Sequence, residues 1–195
     1  MDQRGVGLIE LMIGITIVSI LLAMGVPSFS LWIQNTQNRT AAESILNGMQ
    51  LARVEAVRRN TNVRFDLTDS TGLVAWNVGC VVVTTDCPAT IQGRVAIDGS
   101  VNARIGVSTS APPSPIPANQ YSTAIATGTG LVAGVTFEGM GRIPTANIGT
   151  DVTRVDITNI AAPTSRRLVV IVGAGGQIRM CDPALALATN PQGCS

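Results

Sequence analysis

A single carboxylate, Glu10, stands inside an apolar run from Val6 to Val26, five residues past Gly5. A charge at the centre of a bilayer costs about 2.5–3.5 kcal/mol on insertion scales and less near an interface, so such a residue is a functional candidate by default. Its available chemistry is charge pairing. The chain has no His, and all thirteen basic residues are Arg. That removes Ser-His-Asp and Cys-His arrangements together with lysine nucleophiles. Metal sites built on imidazole go with them. No paired carboxylates stand out, and no Gly-rich loop follows a strand and opens a helix. The chain is expected not to be an enzyme and to hold no cofactor or metal.

The remaining reactive types are arginine and cysteine. Arginine makes planar, bidentate contacts with phosphate or carboxylate that lysine does not. The net charge of +1 favours no class of partner. The four cysteines are Cys80, Cys87, Cys181 and Cys194, and they allow three pairings. Neither spacing suits a zinc knuckle, which has two to four residues between ligands. Disulfides in an oxidising compartment are the reading. The expected pairing is local, Cys80–Cys87 and Cys181–Cys194, closing loops worth roughly 2.5 and 3 kcal/mol in the chain-entropy model.

These residues need elements to position them. Met1–Gly5 reads as a leader, and no small-residue cleavage site of a secretory signal follows the apolar stretch. Arg4 places the leader weakly on the cytoplasmic side. The 21 residues Val6–Val26 are near the ~20 that cross a hydrocarbon core. Gly7, Gly14 and Gly25 permit close helix approach, and Pro27 loosens the helix locally. Residues 6–27 therefore read as a transmembrane segment and 28–60 as the amphipathic half of the same helix. Ala42, Ile45, Met49, Ala52 and Ala56 recur at three- and four-residue steps along it. A helix from Val6 to Arg59 is roughly 80 Å long, and the head can cover only its second half.

After Asn60 the period changes to two. Val63, Phe65 and Leu67 alternate with Asn62, Arg64 and Asp66. Further strands are expected at Leu73–Val78, Cys80–Thr84, Arg94–Ile97, Val101–Val107, Leu131–Phe137, Val152–Thr158, Arg167–Val172 and Gln177–Cys181. Ser108–Gln120, with Pro112, Pro113, Pro115 and Pro117, reads as an exposed loop. One helix followed by runs of strands predicts an α+β fold with antiparallel sheet on the helix, residues 61–195 forming the β-rich head. With six aromatics, the core must be mainly Val, Ile, Leu and Ala.

The stretch Arg4-Gly5-Val6-Gly7-Leu8-Ile9-Glu10-Leu11, with the apolar run and Pro27 in register, resembles the processing site of type IV pilins and type II secretion pseudopilins. The resemblance implies a pilin-like fold, cleavage by a prepilin peptidase between Gly5 and Val6, and methylation of Val6. It also implies that Glu10 pairs with the N-terminal amine of a neighbouring subunit during filament assembly. The Phe137-Glu138-Gly139-Met140-Gly141-Arg142 turn, Trp76, and Arg58-Arg59-Asn60 before Val63-Arg64-Phe65 resemble the GspH/FimT family. The Cys181-Asp182-Pro183 tail with Cys194 looks more like the minor pilins of that family than the secretion pseudopilins.

By that resemblance the chain is expected to be a minor type IV pilin, at or near the pilus tip and helping to initiate assembly. A GspH-like pseudopilin of type II secretion is the first alternative. The implied partners are other minor and major pilins, the prepilin peptidase, inner-membrane assembly machinery and the lipid bilayer before assembly. The implied location is the bacterial inner membrane in a single pass with a periplasmic head, then the pilus at the cell surface. DNA binding during uptake is a further alternative, because some FimT-like members bind DNA through a Gly-Arg-x-Arg motif. The matching positions are Gly176-Gln177-Ile178-Arg179, with Gln177 where the first Arg falls. Arg166, Arg167 and Arg179 are the candidate DNA contacts.

Overall fold

The computed structural model describes residues 7–98, 100–113, 116–117 and 119–195, and within the helix it leaves the side chains of 24–28 undescribed. The leader, Val6 and Pro115 fall outside that description, as does the side chain of Pro27. The chain divides into two units, Met1–Ile33 and Gln34–Ser195. One helix, α1 (Leu8–Arg59), supplies elements to both.

In the first unit the helix carries apolar side chains that stay exposed, among them Leu8, Ile9, Leu11, Met12, Ile13 and Ile17. Thr16 and Ser19 would leave hydroxyls stranded in such a run. Each donates instead to the carbonyl four residues back, Met12 and Ile15, at 2.8 Å. Phe29 and Trp32 stack with centroids 5.7 Å apart. Among the described residues, no helix is long and apolar enough to cross a membrane.

In the second unit the expected stripe is the buried one. Ala42, Ile45, Met49, Ala52 and Ala56 are fully buried, joined by Ala41. The helix stops because Asn60 takes a positive φ of 49°, a conformation Asn tolerates at a helix end, and Thr61 N–H donates to the Ala56 carbonyl at 3.2 Å. Arg58 and Arg59 sit in the last turn, where cations suit the helix dipole, and both reach Glu55, at 2.6 and 2.7 Å.

The hydrogen bonds from Arg58, and then from Arg59, hold the Glu55 carboxyl below its ordinary value of 4.5, against the opposing effect of burial. A carboxyl depressed in the folded state contributes stability above its unfolded pKa and loses it as pH falls through the folded one. Glu55→Gln is therefore expected to lower the unfolding midpoint at neutral pH. The difference should close as the solution is acidified below 4.5. Denaturant curves at several pH values check this, and a difference that grew in acid would reverse the assignment.

Among the described residues eight strands follow: β1 (Val63–Leu67), β2 (Trp76–Cys80), β3 (Gln92–Arg94), β4 (Ala103–Ser108), β5 (Ala133–Phe137), β6 (Arg154–Asn159), β7 (Leu168–Val172) and β8 (Ile178–Cys181). They form two four-stranded sheets, ordered β3-β2-β1-β5 and β4-β6-β7-β8, and each pair of neighbours is antiparallel. The fold is α+β. Buried residues of α1 and of both sheets share one core, dominated by Val, Ile, Leu and Ala around Phe65 and Phe137.

Two expected strands are corrected. Cys80–Thr84 is not a strand, because β2 ends at Cys80 opposite Val63, the first residue of β1. One more bond, Val81 N–H to Asn62 carbonyl at 3.0 Å, ends the pairing, and Val81, Val82 and Val83 lie exposed. Arg94–Ile97 fails for the same reason. Arg94 faces Trp76, where β2 begins, and the chain turns at once, with Asp98 N–H on the Val95 carbonyl.

Amides fasten the start of the second unit's helix to the second sheet. Asn38 Nδ2 donates to the Arg166 carbonyl at 3.0 Å and to Ser165 Oγ at 3.1 Å, and its Oδ1 accepts from Asn159 at 3.2 Å. Arg166 N–H donates to Asn35 Oδ1 at 2.7 Å, and Asn102 binds Gln34 and Gln37.

Candidate functional site

Glu10 lies in the first turn of α1, where a carboxylate suits the positive end of the helix dipole. Its backbone N–H donates to the Gly7 carbonyl at 3.0 Å, and its side chain is exposed among exposed apolar neighbours. Gly5 and Val6, the expected cleavage and methylation positions, lie outside the described residues.

The candidate DNA contacts have been spent on internal acceptors. Arg166 Nε pairs with Asp182, which is 4% exposed. Arg167 Nη1 pairs with the fully buried Asp156, and its Nη2 donates to the carbonyls of Tyr121 and Ser122. Arg179 donates to the carbonyls of Gly193 at 3.1 Å and Cys194 at 2.9 Å. Of the three, only Arg166 keeps a half-exposed side chain. A phosphate taken up by Arg167 would have to displace a buried carboxylate and two carbonyls.

Gly176 of the matching stretch has a conformational role. Its φ is +77°, and a Cβ there would lie 1.9 Å from the Gly141 carbonyl oxygen. Gly141 itself has φ +74° and closes the 138–142 turn, its N–H donating to the Glu138 carbonyl at 2.7 Å. The two glycine turns pack together, and Ile143 N–H bonds the Ala174 carbonyl at 3.1 Å. A larger residue at Gly176 would push the two turns apart, and one at Gly141 would press on Val57 and Arg53 of α1.

Three buried aspartates are the acceptors that sequence reading missed. Asp151 accepts from Arg64 at 2.8 Å and from Thr136 N–H at 2.6 Å. Asp156 accepts from Arg154 through two nitrogens, at 2.6 and 2.8 Å. Part of the signal was available. Arg64 and Asp66, like Arg154 and Asp156, are two apart on one strand and so share a face. Among the described residues, no group of three His, Cys, Asp or Glu is placed to hold a metal ion.

The cysteines are bonded Cys80–Cys87 and Cys181–Cys194. The second bond closes the C-terminal loop that Arg179 also grips. Replacing Cys181 and Cys194 together by Ser is expected to lower stability by about 2–3 kcal/mol, from the entropy returned to the unfolded chain. Chemical denaturation of the two forms checks it. An unchanged midpoint would mean that Arg179 and the loop's backbone bonds suffice.

Residues 41–176 match the family model described as Type II transport protein GspH. The chain belongs to this family. Residues 1–26 match the prokaryotic N-terminal methylation motif. Members of the family are minor pilins and pseudopilins, which assemble with other pilins. Among solved structures, the type IV minor pilin FimU of Pseudomonas aeruginosa is 14% identical with a TM-score of 0.47, covering 84% of this chain and 99% of that chain. The minor pseudopilin EpsH from the Type 2 Secretion System of Vibrio cholerae is 10% identical with a TM-score of 0.49, covering 76% of this chain and 99% of that one. GspH of E. coli is 15% identical with a TM-score of 0.41, covering 77% and 91%. No curated protein matches the chain.

Proposed function

We propose that this chain is a minor type IV pilin, incorporated at or near the pilus tip and helping to start assembly. One observation carries the reading. A methylation motif over residues 1–26 heads a helical stem whose apolar side chains are exposed and which bears one carboxylate, Glu10. A stem of this kind is solvated by lipid in the membrane and by other stems in a filament. Before assembly the protein is a single-pass inner-membrane protein, anchored through residues 6–27, a span that extends past the described side chains at both ends. Its two disulfides support a head on the oxidising, periplasmic side. In this reading the prepilin peptidase cuts after Gly5 and Val6 is methylated, and Glu10 meets the amine of a neighbouring pilin.

A second reading, a pseudopilin of type II secretion, is favoured by the description of the matched family. The disulfide-closed tail after β8 supports the pilus instead, by its likeness to minor pilins. Deletion of the gene, scored in one strain for surface pili and for secreted exoproteins, separates the two. Lost pili with intact secretion is the expected result. The opposite pattern would overturn the pilus assignment and leave the family standing.

A further inference from the structure

One wall of the head carries a cleft that neither disulfides nor the stem account for. It has a volume of about 550 Å³, within the range of small-molecule sites, and lies between α1 and the edge strand β3. Trp76 and Leu51 supply its apolar part. Trp76 is fixed there, its indole N–H donating to Ser44 Oγ at 2.9 Å. Arg94 lines the cleft, and its Nη1 is buried with no hydrogen-bond partner among the described residues. Its other terminal nitrogen is used, on Ser100 Oγ at 2.8 Å and on the Asp98 carbonyl. A buried charged donor left unmade is costly, and one in a native structure calls for an explanation.

The other lining groups define what could supply the acceptor. Glu43 is neutralised by Arg39 at 2.7 Å, and Asp98 offsets Arg94, so the cleft has no net charge. A carboxylate ligand would meet Asp98 as a like charge. Asn47 and Gln92 are exposed, and among the described residues neither side-chain amide is hydrogen-bonded within the chain. Each offers both a donor and an acceptor. The cleft thus presents donors and acceptors close together, around a small apolar floor, with no charge to be matched.

We propose that this cleft binds a neutral polyhydroxylated ligand, a saccharide unit. Nη1 of Arg94 is closed to water in the free protein, so a hydroxyl oxygen accepts from it once the guanidinium turns toward the cleft; other hydroxyls donate to Asp98 and Glu43, and the Asn47 and Gln92 amides take the remainder. A sugar ring's C–H edge meets Leu51 and the rim of Trp76, whose indole is otherwise buried in the core. The site does not depend on whether the head travels in a pilus or a secretion filament.

The test uses the full chain in a zwitterionic detergent that has no sugar headgroup. Methyl glucoside and N-acetylglucosamine are titrated while the indole N–H resonances of Trp76 and Trp32 are followed by NMR. A saturable shift of Trp76 with Trp32 unmoved is expected from at least one sugar. A preference between the two assigns a plain hexose or an N-acetylated wall-type sugar. Arg94→Ala should weaken binding about tenfold or more, as the loss of a hydrogen bond to a charged group. Because Arg94 also holds Ser100, Asn47→Ala is the second variant, from an exposed and internally unbonded position. It should weaken binding roughly two- to tenfold. Three results would overturn the proposal. They are no shift with either sugar, an equal shift with sodium acetate, and a shift only with a neutral capped tripeptide, which would assign the cleft to a peptide strand added beside β3.

Discussion

Asp156→Ala is expected to destabilise the Gln34–Ser195 unit by about 3–5 kcal/mol, the cost of breaking a buried ion pair by removing one partner. Asp156 is fully buried at the middle of the second sheet. It accepts from Arg154 Nε at 2.6 Å and Nη2 at 2.8 Å, from Arg167, and from Ile125 N–H at 3.1 Å. Alanine would strand two guanidiniums whose side chains are only 13% and 16% exposed. Arg154 also lies over the Tyr121 ring, 5.1 Å from its centroid, so its loss of charge balance reaches the small cluster formed by Tyr121, Val169, Cys181 and Cys194. Asp156→Asn should cost less, since the amide keeps one acceptor for Arg154. Denaturant unfolding of the three proteins measures this. A loss below about 1 kcal/mol for alanine, the range of an exposed pair, would mean that the knot is wet and the burial argument wrong.

The same knot bears on how the DNA reading is tested. Arg167→Ala removes the partner of Asp156 as well as a candidate phosphate contact. Reduced DNA binding by that variant would therefore report lost folding unless stability were measured beside it. Arg166→Ala needs the same control, since it leaves the buried Asp182 without its arginine, whereas Arg179 bonds backbone carbonyls and its removal orphans no carboxylate.

Periodicity carried most of the fold. The stripe from Ala42 to Ala56 identified the buried helix face because a helix on a sheet must bury one side. Val63, Phe65 and Leu67 are fully buried for the equivalent reason in a strand. What periodicity omits is the length of the partner. Val81-Val82-Val83 is strand-like in composition, but β1 begins at Val63 and offers nothing to pair with beyond Cys80. The division into two sheets was also out of reach, since alternation marks a face and not a neighbour. β4 leaves β3 and pairs with β6, fifty residues on in the chain, and only tertiary packing decides that.

The site was legible unevenly for a related reason. Glu10 stood out because its surroundings are local and uniformly apolar. Arg166, Arg167 and Arg179 looked available because their acceptors are distant or invisible in sequence. Asp182 and Asp156 lie 16 and 11 residues away from their partners, and the carbonyls of Tyr121, Gly193 and Cys194 carry no sequence signal. A backbone acceptor can be met by any residue type, so a cluster of arginines cannot be assigned to solvent from composition alone.

Glu10→Ala is expected to leave membrane insertion intact and to lower recovery in filaments by about a hundredfold. Alanine makes the stem more apolar, so transfer into the bilayer improves if anything. Assembly in the proposed reading brings the Glu10 carboxylate against the amine of a neighbouring stem in a medium of low dielectric. Removing one member of a buried pair costs about 3–5 kcal/mol, and each 1.4 kcal/mol is tenfold at equilibrium, so a hundredfold allows for partial solvation of the orphaned amine. The experiment compares the protein in sheared filaments with that left in the membrane fraction, by immunoblot. The variant should be abundant in membranes and nearly absent from filaments. Glu10→Asp, which keeps the charge on a shorter side chain, should fall between the two. Loss from both fractions would indicate degradation and is read by restoring the charge in the Asp form. Recovery of the alanine form in filaments at the level of the unmodified chain would remove Glu10 from assembly and leave it a tolerated interfacial charge.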